Sequence, residues 1–109
     1  MENENTVYVV MLEWMTSDDS GIDYYLYKNY NSALNKFNGL IADECDADIS
    51  WVGADAFDEN GDVNEGFTLI CNTEIEDNGN RDLFWTISDD YSNRYSHITL
   101  TKKEIIIGD

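Results

Sequence analysis

The sequence predicts an α+β fold: an antiparallel β-sheet of five to six strands with one helix packed on a face, in the order ββαββββ. Three observations predict it. Apolar runs of strand length, rich in Val, Ile, Tyr and Trp, recur along the chain. One stretch alone, Asn31–Asp46, carries apolar residues at helical spacing. Asn60-Gly61 and Asn78-Gly79 separate apolar runs, and both residue types tolerate the positive φ of a tight hairpin turn.

Thr6–Met15 reads as the first strand. Val7, Val9 and Met11 alternate with Tyr8, Val10 and Leu12, so both faces are apolar, the pattern of a central strand covered on both sides or nearly so. Ser17–Gly21 is turn chemistry. Ile22–Tyr27 is a second, aromatic-rich strand that closes a hairpin with the first. In the helix Asn31–Asp46, Asn31 or Ser32 serves as N-cap. Leu34, Phe37, Ile41 and Cys45 form one stripe, with Ala33 and Leu40 beside it. Gly39 weakens this helix by about 1 kcal/mol relative to Ala, and marks either close packing or an early stop. Ile49–Phe57, containing Trp51, is apolar and aromatic and reads as the next strand. Phe67–Ile75 follows, with Phe67, Leu69, Cys71 and Ile75 on one face. In Leu83–Ser88, Leu83, Trp85 and Ile87 share a face. Asp89–Asn93 is a turn, and His97–Ile107 supplies the last strand or two.

The chain of 109 residues fits a single domain spanning 1–109, with an expected radius of gyration near ~13 Å. At 42% hydrophobic and 13% aromatic residues, it is too apolar for a disordered acidic tail. The charge is extreme: 23 Asp and Glu against 6 Lys and Arg, a net −17. Nucleic acid and anionic membranes would repel it, which excludes both as direct ligands. The 12 Asn, 10 Ile and 7 Tyr point to an AT-rich coding sequence, which normally brings abundant Lys. Only Lys28, Lys36, Lys102 and Lys103 occur, so lysine has been selected out. Salt adaptation is the alternative, and the Asn, Ile and Tyr bias fits it poorly. The longest apolar run, Val7 to Leu12, is too short to span a bilayer, and Met1 to Asn5 lacks the basic start of a secretory signal. A cytoplasmic protein with reduced Cys45 and Cys71 is the expectation.

The acid is unevenly placed. Phe37 to Asn80 holds no base in 44 residues, but 12 acids: Asp43, Glu44, Asp46, Asp48, Asp55, Asp58, Glu59, Asp62, Glu65, Glu74, Glu76 and Asp77. The first four lie at or just past the helix C-terminus, where the helix dipole disfavours negative charge by up to several tenths of a kcal/mol each. Either solvent screens this cost, or the charge serves a partner. Asp58–Asn64 resembles the middle of a calcium loop, but aligning Gly61 with the loop glycine puts Ala56 and Phe67 where oxygen ligands belong. A hairpin turn accounts for the same residues. His97 is the only histidine, and Cys45 and Cys71 lack metal-ligand spacing, so no metal or cofactor is implied. No phosphate loop or nucleophile motif stands out, and no catalytic residue is assigned. Tyr24, Tyr25, Tyr27 and Tyr30 crowd seven residues, too many to be equally buried, and an exposed tyrosine such as Tyr24 beside acid suits a protein interface.

In size, acidity and AT-biased composition the chain resembles the small acidic proteins of phages and mobile elements. These include anti-CRISPR and anti-restriction inhibitors, several of which mimic DNA. The resemblance implies a stoichiometric inhibitor, working in the cytoplasm of a bacterial host, that occupies the basic nucleic-acid groove of a defence nuclease such as a Cas nuclease. Asp43, Glu44, Asp46, Asp48, Asp55, Asp58, Glu59, Asp62, Glu65, Glu76 and Asp77 would meet Arg and Lys of the groove, with Tyr24 as anchor. Two other readings stand beside it. One is a small regulatory interaction module whose acid only maintains solubility. The other is an acid-dependent enzyme, which needs a cleft holding a carboxylate of raised pKa.

Overall fold

The structure is a computed structural model that describes residues 5–74 and 82–104. The strands are β1 (Thr6–Met15), β2 (Ser20–Tyr27), β3 (Phe67–Asn72), β4 (Leu83–Asp89) and β5 (Tyr95–Glu104). They form one antiparallel sheet in the order β2-β1-β5-β4-β3. The helix α1 (Tyr30–Glu44) lies on one face, so the arrangement is α+β as the sequence predicts.

The pairing registers decide which residues the helix meets. Tyr8 and Val10 of β1 align with Lys102 and Leu100 of β5 respectively, and Leu100 in turn with Leu83 of β4. Phe37, at the middle of α1, is wholly buried among Tyr8, Val10, Ile98 and Leu100. The buried side of the helix is Tyr30, Ala33, Phe37 and Leu40, with Leu34 and Ile41 half-buried and Cys45 exposed. The stripe is therefore centred one step round from Leu34–Ile41–Cys45. The helix also begins earlier than the sequence reading placed it. Asn29 is the N-cap, its Oδ1 accepting the Ser32 N–H at 3.1 Å, not Asn31 or Ser32. Tyr30 then enters the core and meets the Tyr8 ring edge-on at 5.2 Å. Gly39 marks neither close packing nor a stop: it is exposed, with open space around it.

Ile49–Phe57 is not a strand. Val52–Ala56 forms a π-helical turn that buries Val52, Gly53 and Ala56. Gly53 makes this possible, because a Cβ there would stand 2.3 Å from the Asp46 carbonyl carbon and 2.7 Å from the Ala47 nitrogen. Among the described residues the sheet thus has five strands and the order ββαβββ, with the π-helical turn in place of the expected third strand. Asn60-Gly61 is a turn, with Gly61 at φ 84°. It closes on the single antiparallel bridge between Phe57 and Val63, not on two full strands. Asn78-Gly79, Ile75 and Ile105–Ile107 lie outside the described residues.

Two further expectations shift. The molecule is longer than a compact sphere of its size, with a radius of gyration of 15.5 Å and extents of 48 × 33 × 22 Å. And the cover of β1 is uneven: α1 lies over one face, and on the other Val7 alone is buried. Val9 and Met11 lie half-buried on that face, opposite α1.

Candidate functional site

The topology gathers acid at one end of the sheet. Met15 pairs with Ser20 and with Tyr95, and Asp89 pairs with Phe67. The β1–β2 turn, the β4–β5 turn and the start of β3 therefore share one end. The C-terminus of α1 reaches the same end, because Asp43, Glu44, Ile49, Ser50 and Trp51 line a pocket with Leu12, Trp14 and Thr16. The segment 43–66 leaves the helix there and returns to β3 there, bearing Asp43, Glu44, Asp46, Asp48, Asp55, Asp58, Glu59, Asp62 and Glu65. The two turns add Asp18, Asp19, Asp89 and Asp90. Lys28, Lys102 and Lys103 sit at the opposite end, level with Val7 and Tyr8.

Arg94 is the one described base at the acidic end. It is where the segment is tied down. Its guanidinium pairs with Asp55 and with Asp89, both at 2.9 Å, and lies over the Trp51 ring at 4.6 Å. These contacts hold the π-helical turn against the β4–β5 turn. The hydrogen bonds to Asp55 and Asp89 raise the Arg94 pKa. Asp89 is held below the usual carboxylate range, first by the Tyr91 N–H, then by Arg94 and the Ser92 hydroxyl.

The other acids of the segment form no ion pair among the described residues. Asp43, Asp46, Asp48, Asp58, Glu59, Asp62 and Glu65 are exposed. Glu44 is half-buried and accepts the Ser50 hydroxyl at 2.6 Å. Asp46 and Asp58 spend one oxygen each on local turns, accepting the N–H groups of Asp48, and of Asn60 and Asp62. No base stands in the last turn of α1 to offset its dipole. The pocket between Trp14 and Trp51 has a volume of about 290 Å³ and carries Asp43 and Glu44 beside the indoles. Aromatic faces next to carboxylates suit a cationic side chain, and Arg94 already occupies the Trp51 ring in that way.

Of the residues assigned from sequence, the nine acids from Asp43 to Glu65 belong to this one segment. Glu76 and Asp77 lie outside the described residues. Tyr24 stands apart: its register partner is Met11, which puts it on the open face of the sheet, 62% exposed. Sequence reasoning missed Asp18, Asp19, Asp89, Asp90, Trp14 and Trp51 as members of the site. Their signal was the hairpin itself, since a turn that ends strand one must lie beside whatever else ends there. Among the described residues, no group of three His, Cys, Asp or Glu side chains could hold a metal ion, and no helix is long and apolar enough to cross a membrane. The chain matches no protein family, no curated protein and no solved structure.

Proposed function

We propose that this protein is a stoichiometric inhibitor of a nucleic-acid-binding enzyme, of the anti-CRISPR or anti-restriction type. Its acidic end enters the basic groove of a host defence nuclease, such as a Cas nuclease, in place of DNA. The observation that carries the reading is a concentration of exposed acid whose only described counter-charge is Arg94, already shared between Asp55 and Asp89. Spread evenly, −17 over 48 Å is about one charge per 2.8 Å, sparser than the ~1.7 Å of duplex DNA. Crowding the acid at one end raises the local density there. The pocket between Trp14 and Trp51 gives an incoming Arg or Lys an aromatic seat. Long-range attraction makes association fast, and occupation of the groove excludes DNA.

The test is displacement of labelled duplex DNA from a panel of basic nucleases across a salt series. Affinity should fall steeply with salt, and Asp58→Lys, Glu59→Lys and Asp62→Lys combined should lower it by about tenfold or more. Salt-independent binding would sink the mimicry. The open apolar sheet face favours a second reading, a regulatory interaction module, in which the triple reversal leaves partner binding intact.

A further inference from the structure

The pairing registers put 20 side chains of the five strands on the face opposite α1. Its edge strands expose large apolar groups: Ile22 at 50%, Tyr24 at 62% and Leu26 at 65% on β2, and Ile70 at 60% on β3. Between them run Val9 and Met11, then a band of threonines on β5 and β4. Chance placement of 23 acids in 109 residues would put about four on 20 positions. Glu13 is the only one, and its carboxylate accepts the Tyr95 hydroxyl at 2.7 Å. Lys103 and His97, the latter hydrogen-bonded to Thr86, complete the ionisable side chains other than tyrosine.

We propose that this face binds a second copy of the chain, forming a two-fold dimer in which the two sheets stack face to face. Three arguments select a second copy. First, the face is neutral on a molecule of −17, so a basic partner finds almost no counter-charge on it, whereas an identical face meets no charge penalty there. Second, five strands at ~4.8 Å spacing and strand lengths of ~20–30 Å give roughly 500–700 Å², close to the ~800 Å² per partner of a stable interface. Third, the face is self-complementary in one orientation. A two-fold axis crossing the strands at the level of Val10 brings Lys103 of one protomer toward Glu13 of its partner, because Val7, the register partner of Lys103, and Glu13 lie equally far on either side of Val10. The same axis sends the two acidic ends to opposite ends of the assembly.

The dimer is independent of groove binding, and salt separates the two. Screening relieves repulsion between two acidic copies, so self-association should tighten as salt rises, whereas nuclease binding should weaken. Sedimentation equilibrium of the full chain, from low to several hundred micromolar, should give a species of twice the 12.5 kDa chain mass. Leu26→Lys with Ile70→Lys should weaken the dimer by at least about tenfold, and Tyr24→Lys should do so independently. Unchanged circular dichroism and cooperative unfolding in each variant exclude misfolding as the cause. A wild-type chain that stays monomeric at the highest concentration in molar salt overturns the proposal. So does a dimer indifferent to both sets of substitutions.

Discussion

The two faces of the sheet are built from similar side chains and differ in what lies on them. Beneath α1, Tyr8, Val10, Ile98 and Leu100 are at most 1% exposed. On the other side of the sheet, Tyr24 and Leu26 of the edge strand β2 are more than 60% exposed, and Val9 and Met11 of β1 are half-buried. The difference is one of supply. A 15-residue helix is about 22 Å long and ~10 Å across, so it spans less than half the width of five strands. The π-helical turn extends the cover, placing Val52 and Ala56 in the core beside Trp85. No second helix follows among the described residues. An apolar strand face therefore specifies burial only where the chain also provides a covering element, and among the described residues one cover serves the two faces.

The sharpest way to break this comparison is to truncate one aromatic on each side. Phe37→Ala removes the ring at the centre of the covered face and should cost about 3–5 kcal/mol in urea unfolding. Tyr24→Ala, on the open face, should change monomer stability by less than ~1 kcal/mol at concentrations low enough to suppress self-association. Equal costs would mean that the open face is covered within the monomer.

A second pair of substitutions asks how the cover is assembled. At Gly53 a methyl group runs into the backbone of Asp46 and Ala47, so Gly53→Ala should destabilise by about 1–3 kcal/mol and detach the π-helical turn. The fluorescence of Trp51, two residues away, reports it. At Gly39 a methyl group meets nothing within 4 Å, so Gly39→Ala should stabilise by about 0.5–1 kcal/mol. A stabilising Gly53→Ala would show that the close approach is dispensable.

These glycines also mark what could be read in advance. The bounds of β1 were legible because ten residues of continuous β-forming sequence end in turn chemistry. The π-helical turn was not, because Ile49–Phe57 has the composition of a strand and the contact that bends it, Gly53 against Asp46, joins residues seven apart. The true N-cap was hidden among three capping residues, Asn29, Asn31 and Ser32, and the packing of Tyr30 on Tyr8 selects the first. The acidic segment was visible as a base-free stretch. Its extension by Asp18, Asp19, Asp89 and Asp90 required the strand order, and the separation of Tyr24 from that acid required the register of β2 on β1.

The smallest effect concerns the join between the acidic end and the sheet. Asp89 has a folded-state pKa below its unfolded value, held there by the Tyr91 N–H, Arg94 and Ser92. A depressed carboxylate contributes stability that is fully present above the unfolded pKa, near ~3.9, and is lost as pH falls through the folded value. The wild type should therefore resist urea better than Asp89→Asn at neutral pH, and the gap should close as the pH drops below about 4. Added salt moves the two chains differently. It relieves the acidic self-repulsion in both, −17 in the wild type and one charge less in the variant, raising both midpoints, but screens the Arg94–Asp89 attraction only in the wild type, so the gap narrows. A gap unchanged down to pH 2 would place the work of Asp89 in its hydrogen-bond geometry, which asparagine partly keeps, and not in its charge.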